Sequence, residues 1–293
     1  MTYSSTENLN EAQKKIVNHK NGPALVIAGA GSGKTRVITH RVAHLIHSGV
    51  PASSILLLTF TNKAAEEMTQ RVGRTINNST DQNKIIHGTF HSVGNRFLRQ
   101  HAKLLDYKNN FSILDTSDSK DMIKAAIAEI MGKPEKLFPK AAVLQNLFSL
   151  AFNRNGCQDV ILKLPYHKRN FHLDQLIFSD YPHFEEYLET ILKVLATYRK
   201  KKKRGQVMDF DDLLENWLEL LLVHRDDLPL CKQIKYVLVD EYQDTNKVQA
   251  EILLLLSGLQ NNLMVVGDDA QSIYSWRGAD FGNMLEFPEK YKA

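Results

Sequence analysis

The sequence lacks the features that mark secreted or membrane-spanning proteins. It has only two cysteines in 293 residues, Cys157 and Cys231, too few for a disulfide framework or a cysteine-based metal site. Its apolar runs are short, such as Ile252 to Leu256, and none approaches the length of a membrane span. The polar N-terminus has no signal-peptide core. These absences predict a protein without a membrane segment in a reducing, cytoplasmic setting.

Strong charge of one sign is also missing from most of the chain. Residues 112–205 hold 16 Lys and Arg against 11 Asp and Glu, whereas the remaining residues hold 21 against 22. The net charge of +4 therefore comes from the middle of the sequence. A basic middle segment favours a polyanionic partner, and a solvated surface explains it equally well, so the charge alone leaves both interpretations open.

The most informative stretch reads AGAGSGKT and matches the pattern G-x-x-x-x-G-K-[ST] except at its first position, where Ala28 stands in place of glycine. An apolar run at 24–27 precedes it and apolar residues at helical spacing follow it, so the loop joins a strand to a helix. Glycines let the backbone N–H groups turn toward phosphate oxygens, and a helix start adds positive dipole. Lys34 would reach the β- and γ-phosphates, and Thr35 would offer a hydroxyl to Mg²⁺. We therefore predict a nucleotide-binding loop made of Ala28, Gly29, Ala30, Gly31, Ser32, Gly33, Lys34 and Thr35.

Short buried strands alternate with helices in both terminal parts of the sequence. Apolar runs at 24–27, 55–60, 85–86, 236–239 and 263–266 predict the strands. This alternation predicts an α/β fold with a parallel sheet and helices on both faces. Between 112 and 205 helical patterns dominate, no clear strand alternation appears, and four prolines interrupt the segment. We predict one α/β domain from 1–111 and 206–293, interrupted by an all-helical insertion at 112–205.

Polar residues follow the apolar runs at 236–239 and 263–266. Asp240 and Glu241 end the first run, and Gln271 follows the second. Ligands collect at the carboxyl ends of parallel strands, so we expect these side chains close to the phosphate loop. Asp240 would hold Mg²⁺ together with Thr35, and Glu241 would orient and deprotonate the attacking water. Gln271 would bond the γ-phosphate or that water. The predicted catalytic residues are Lys34, Asp240, Glu241 and Gln271.

Gln13 follows Asn10 by three residues, a spacing typical of a capped helix start. Capping alone would explain the pair. An amide also presents the donor and the acceptor that the edge of adenine requires. Because the phosphate loop begins 15 residues later, the sequence favours adenine recognition by Gln13.

The stretch SIYSWRGA at 272–279 places Tyr274, Trp276 and Arg277 beside Gln271. Bases of single-stranded nucleic acid stack on aromatic rings, and arginine pairs with phosphate. The alternative is a Tyr and a Trp in a core with their polar ends satisfied. Their position beside Gln271 makes the core the weaker interpretation.

Seven short motifs occur along the chain in the order in which one known protein family carries them. They are LNEAQ at 9–13, AGAGSGKT at 28–35, TFTNKAAEEM at 59–68, TFHS at 89–92, DFDDLL at 209–214, VDEYQDTN at 239–246 and VGDDAQSIYSWRGA at 266–279. In that family Phe is common at the position of Tyr242 and Asp at the position of Ala270, and neither residue is expected to contact phosphate. The chain thus resembles the N-terminal half of UvrD/Rep/PcrA-type superfamily 1 DNA helicases.

That resemblance implies a RecA-like first motor domain with a helical insertion, driven by ATP and Mg²⁺. It implies 3′→5′ translocation on single-stranded DNA and unwinding of duplex DNA, in repair or replication. Arg36 would lie close to the nucleotide. The positions that match the family's DNA contacts are Phe60, Tyr274 and Trp276 for bases, and Asn62, His91 and Arg277 for the strand.

The resemblance also implies a second motor domain after Ala293, with arginines for the γ-phosphate and an aromatic ring for adenine. We therefore expect a fragment of a longer helicase that binds ATP and DNA and hydrolyses ATP poorly alone. Two other interpretations stay open. One is a different enzyme of the superfamily, such as the helicase subunit of a recombination nuclease or an RNA helicase. The other is a non-catalytic module that binds nucleic acid or a partner, against which the intact site residues argue.

Overall fold

The computed structural model describes residues 9–76, 79–155, 163–268, 280 and 282–292. The chain forms two compact units. The first comprises Met1–Gly94, Leu221–Thr245 and Gln249–Ala293, and the second comprises Asn95–Leu220 and Asn246–Val248. The second unit extends beyond both limits of the insertion expected at 112–205, and those domain limits stay a prediction.

Seven strands and thirteen α-helices occur in the described residues. The strands are β1 (Ala24–Ile27), β2 (Ile55–Leu58), β3 (Ile86–Gly88), β4 (Ser112–Ile113), β5 (Val207–Met208), β6 (Tyr236–Val239) and β7 (Leu263–Gly267). The helices are α1 (Glu11–Val17), α2 (Lys34–His47), α3 (Asn62–Ile76), α4 (Ser79–Gln82), α5 (Phe90–His101), α6 (Thr116–Met131), α7 (Ala141–Asn155), α8 (Leu173–Asp180), α9 (Leu188–Gly205), α10 (Phe210–His224), α11 (Pro229–Gln233), α12 (Lys247–Ser257) and α13 (Gly282–Tyr291).

A five-stranded parallel sheet organises the first unit, with the strand order β1-β7-β6-β2-β3. Val26 pairs with Val266, and Leu57 pairs with Leu238. All four residues of β2 and all five of β7 are buried, as expected for inner strands of a parallel sheet. Because the strands run in one direction, the residues that follow β1, β6 and β7 meet at one edge. The α/β class predicted from the sequence is confirmed.

Helices α2 and α3 cover the sheet through one shared apolar cluster. Ile38 and Val42 on α2, and Met68 and Val72 on α3, recur at intervals of four residues, so each pair lies on one side of its helix. These side chains pack against Leu57 of β2, and all five residues are at most 1% exposed. Burial of this size, about 1.5–3 kcal/mol for each large side chain, fixes α2 and therefore the loop that precedes it.

The second unit is mainly helical, as the sequence predicted for its central part. Asp115 caps α6 by accepting a hydrogen bond from the Asp118 backbone N–H at 2.8 Å. Helix α9 ends at Gly205, and Gln206 takes the left-handed conformation with φ 55°. The strands β4 and β5 form a parallel pair of two residues each, which the sequence did not predict. Two residues are too few for an alternating pattern to appear.

Buried charges hold part of the second unit together. Glu215 is 1% exposed and accepts hydrogen bonds from both terminal nitrogens of Arg199, at 3.1 and 3.0 Å. It also accepts one from Arg169 Nη1 at 3.0 Å. Burial would raise the pKa of Glu215, but the charges of Arg199 and Arg169 bring it below the ordinary value. Glu215 is therefore ionised at neutral pH, between two buried cations.

The basic run at 200–204 is not simply a solvated helix end. Lys202 is 3% exposed, and its Nζ lies 2.6 Å from Asp209 Oδ2 and 2.7 Å from Asp212 Oδ2. Asp209 and Asp212 also accept each other's backbone N–H, at 2.9 and 3.0 Å, where α10 begins. Asp209 and Asp212 thus cap α10 and also pair with a lysine of α9.

Candidate functional site

The phosphate-loop motif leaves the end of β1 and enters α2. Gly31 and Gly33 have φ of 74° and 89°, the left-handed region in which residues other than glycine are strained. The Ser32 N–H donates to the Gly29 carbonyl at 3.2 Å, and Gly33 is the N-cap of α2. The loop therefore brings its backbone to the positive end of a 14-residue helix, a geometry that suits an anion.

Lys34, the first residue of α2, points back across the loop. Its Nζ donates to the Ala28 carbonyl at 3.1 Å and lies 2.8 Å from Asp268 Oδ2. The side chains of Lys34 and Asp268 are 10% and 1% exposed. Asp268 was not among the site residues predicted from the strand ends. The signal was present, because Asp268 directly follows β7 just as Asp240 directly follows β6.

Thr35 and Asp240 come together from segments that are 205 positions apart. Burial and the negative charge of Glu241 raise the pKa of Asp240 to about 6, while Lys34 and a hydrogen bond from the Thr35 side chain oppose the shift. A hydroxyl and a buried carboxylate at one point are oxygen ligands of the kind that Mg²⁺ takes beside phosphates. The donor set at this edge of the sheet therefore fits the expected metal ion.

Glu241 adopts a left-handed backbone conformation with φ 56°, which is uncommon for a residue other than glycine. Its Oε2 accepts a hydrogen bond of 2.7 Å from Gln243 Nε2. Gln243 is 1% exposed, and its Oε1 accepts the Asp268 backbone N–H at 3.0 Å. Gln243 was not predicted as a site residue either, because no spacing pattern in the sequence marks it.

Gln13 is engaged in two hydrogen bonds near the loop. Its Oε1 accepts the Asn10 backbone N–H at 3.1 Å and completes a capping box, as the spacing predicted. Its Nε2 donates to the Ser32 carbonyl at 3.0 Å, so the side chain also contacts the phosphate loop. Contact with adenine would require the amide to exchange these partners, and that role stays a prediction.

The structure describes only some of the residues predicted to contact DNA or the nucleotide. Phe60 is 38% exposed two residues after β2, and Asn62 is exposed at the start of α3. His91 lies in the first turn of α5, where burial lowers its pKa to about 4, so it is neutral at physiological pH. Arg36 is exposed in the first turn of α2. The other predicted positions lie outside the described residues: Gln271, Tyr274, Trp276 and Arg277.

Two kinds of feature are absent from the described residues. No group of three or more His, Cys, Asp or Glu side chains there is arranged to hold a metal ion. Across residues 9–76, 79–155, 163–268 and 282–292, no helix combines the length and the apolar character needed to cross a bilayer.

The sequence of this chain matches a known protein family. The model described as UvrD/REP helicase N-terminal domain matches residues 9–292. Similar curated proteins are ATP-dependent DNA helicases PcrA of Bacillus subtilis (strain 168), 38% identical over 300 residues, and of Leuconostoc citreum, 36% identical over 288. The alignments cover 99% and 98% of this chain but only 37% and 36% of the relatives. The chain therefore spans little more than a third of their length, and it belongs to the UvrD/REP helicase N-terminal domain family.

Proposed function

We propose that this chain is the ATP-binding first motor domain, with its helical insertion, of an ATP-dependent 3′→5′ DNA helicase. The observation that carries the proposal is the meeting of Lys34, Thr35, Asp240 and Glu241 at the carboxyl edge of one parallel sheet. The names of the PcrA relatives support DNA as the substrate. The remaining length of such relatives would include the second motor domain.

Each residue of the site has a part in hydrolysis under this proposal. Lys34 exchanges Asp268 for the β- and γ-phosphates, and the loop backbone donates to their oxygens. Mg²⁺, held by Thr35 and Asp240, neutralises phosphate charge when it is bound. Glu241 orients the attacking water and takes its proton. Gln271 follows the state of the γ-phosphate, and Gln13 and Arg36 contact the rest of the nucleotide.

The DNA strand would cross the same edge of the sheet. Phe60, Tyr274 and Trp276 would stack on bases, while Asn62 and Arg277 would contact the backbone. His91 would act as a neutral hydrogen-bonding group, since its pKa of about 4 leaves it uncharged. The basic segment 112–205 would add electrostatic attraction to single-stranded or duplex DNA.

Replacing Lys34 by Ala is expected to weaken binding of Mg-ATP about 10- to 100-fold, because hydrogen bonds to charged groups contribute about 1.5–3 kcal/mol. Titration calorimetry of this chain with Mg-ATP measures the loss, and Mg-GTP tests the adenine preference attributed to Gln13. The matched control is Lys232→Ala, at an exposed position on α11. Equal affinity of Lys34→Ala and the parent chain for Mg-ATP would contradict the phosphate assignment.

Replacing Trp276 by Ala is expected to weaken binding of oligo-dT by about 1–3 kcal/mol, the usual contribution of base–aromatic stacking. Fluorescence anisotropy at fixed salt measures the change. Phe178→Ala removes a ring that is 51% exposed on α8 and should leave affinity unaltered. If Trp276→Ala binds oligo-dT as tightly as the parent, Trp276 does not stack on bases.

A further inference from the structure

The side chain of Gln243 bridges two strand ends of the candidate site. It lies in the short 3₁₀ turn Tyr242–Asp244 that follows β6, and it is 1% exposed. Its Nε2 donates to Glu241 Oε2 at 2.7 Å, and its Oε1 accepts the Asp268 backbone N–H at 3.0 Å. Both ends of the amide are therefore used, one on each strand end.

The partners fix the orientation of this amide. A backbone N–H can only donate, so Oε1 must face Asp268, and the Nε2 donor is left to face the Glu241 carboxyl group. A flipped amide would set its NH₂ group against the N–H and its oxygen against the carboxylate, and would lose both bonds. Because Gln243 is buried, neither loss could be recovered from bulk water.

Gly267 provides independent support for the same arrangement. A Cβ built on Gly267 would lie 2.8 Å from Gln243 Oε1, closer than real Cβ contacts, and 3.2 Å from Met284 Cε. The last residue of β7 is thus a position where a glycine leaves room for the amide. The Gln243 amide and Met284 therefore both lie where a side chain at Gly267 would stand, so any larger residue there would displace at least one of them.

One connected set of contacts follows from these distances. Lys34 Nζ pairs with the Asp268 carboxylate at 2.8 Å, the Asp268 N–H bonds Gln243, and Gln243 bonds Glu241. All four residues belong to the first compact unit. Lys34 and the Glu241 carboxylate are therefore connected, through Asp268 and Gln243, by an ion pair and two hydrogen bonds at the carboxyl edge of the sheet.

We propose that Gln243 is a positioning residue that holds the Glu241 carboxylate in the orientation needed to activate water, and that Gly267 makes room for it. The inference rests on the proposed role of Glu241 as the base. By engaging Oε2, the Gln243 amide limits rotation of the carboxylate, and restricted rotation keeps a reacting group close to its productive geometry. In this proposal Gln243 acts on the reaction through Glu241, since its two hydrogen bonds are made to Glu241 and Asp268.

The test uses DNA-stimulated ATP hydrolysis by the whole protein, with kcat and the KM for ATP measured separately. Gln243→Glu keeps the size of the side chain but replaces the donor to Glu241 by a carboxylate. We expect kcat to fall about 10- to 100-fold, the range found when a catalytic group is displaced or loses its supporting hydrogen bond, with the KM for ATP nearly unchanged. Gln260→Glu makes the same chemical change at an exposed position and should leave both constants as they are.

Two further variants separate positioning from a general structural role. Gly267→Ala displaces the amide without altering charge, and it should lower kcat in the same way. The exchange Glu241→Gln with Gln243→Glu rebuilds an amide–carboxylate bond with reversed direction. It should recover the melting temperature of the parent protein but not its turnover, because position 241 then carries no base.

The outcomes distinguish the inference from the function on which it rests. If Glu241→Gln retains turnover, the proposed base is wrong, whatever Gln243 does. If Glu241→Gln abolishes turnover while Gln243→Glu and Gly267→Ala keep the kcat of the parent, Gln243 does not position the base. If the variants raise the KM for ATP as much as they lower kcat, Gln243 supports the fold of the whole site, and the positioning role is overturned.

Discussion

This 293-residue chain alone is expected to bind Mg-ATP and to hydrolyse it near the background rate, with or without single-stranded DNA. Negative charge on the γ-phosphoryl oxygens must be met by fixed cations during transfer. Lys34 and Mg²⁺ supply part of that charge. The family resemblance assigns the remaining cations to arginines of the second motor domain, and an arginine of this kind contributes about 10³–10⁵ in rate.

The measurement compares ATP turnover of this chain with that of a longer chain that carries the expected second motor domain in cis. Oligo-dT and an RNA of matching length serve as alternative activators. DNA-stimulated turnover should appear only in the longer chain, and Glu241→Gln should abolish it there. Robust DNA-stimulated hydrolysis by the 293 residues alone, abolished by Glu241→Gln, would show that the site is complete without a second domain.

Glu215→Gln is expected to destabilise the second compact unit by about 3–5 kcal/mol, because it leaves buried cations without their main counter-charge. Arg199 and Arg169 both bond Glu215, and their side chains are 7% and 4% exposed. The neutral amide keeps the size of the carboxylate but not its charge. A loss of this size is a large part of the total stability of an ordinary domain. Urea unfolding at pH 7.5, followed by circular dichroism, measures it.

Glu219→Gln is the matched control for that experiment. Glu219 contacts Arg169 at 2.7 Å, but its side chain is 24% exposed, and Arg169 keeps Glu215 when Glu219 is neutral. The control should therefore cost about 1 kcal/mol or less. If Glu215→Gln and Glu219→Gln lower stability equally, the buried position of Glu215 does not set its contribution.

Local sequence patterns predicted the parts of this protein that depend on neighbouring residues. The phosphate loop, the capping box at Asn10 and the five strands of the main sheet follow from glycine placement, a three-residue spacing and short apolar runs. Each of these signals lies within about ten residues, so it can be recognised without knowing the fold. The predicted strand ends were off by one or two residues. The run predicted at 55–60 forms a strand that ends at Leu58, and the run predicted at 85–86 forms a strand that begins at Ile86.

Contacts between distant segments could not be predicted in the same way. The partner of Lys34 is 234 positions away, and the bond from Gln243 to Asp268 depends on β6 and β7 being neighbours in the sheet. The sequence contains no signal for the order of parallel strands, because every inner strand has the same apolar pattern. The parallel β4–β5 pair, which is two residues long, was missed for the related reason that its pattern is too short.

Charged residues show most clearly which features local patterns predict and which depend on contacts between distant segments. Spacing along the chain was enough to predict a nucleotide-binding loop at 28–35 and an acidic strand end at Asp240 and Glu241. The burial of Lys202 between Asp209 and Asp212 depends on contacts between distant elements, and so does the bridge that Gln243 makes between Glu241 and Asp268. The physical reason is that spacing along the chain fixes local conformation, whereas burial and pairing of a charge depend on which distant elements pack against it.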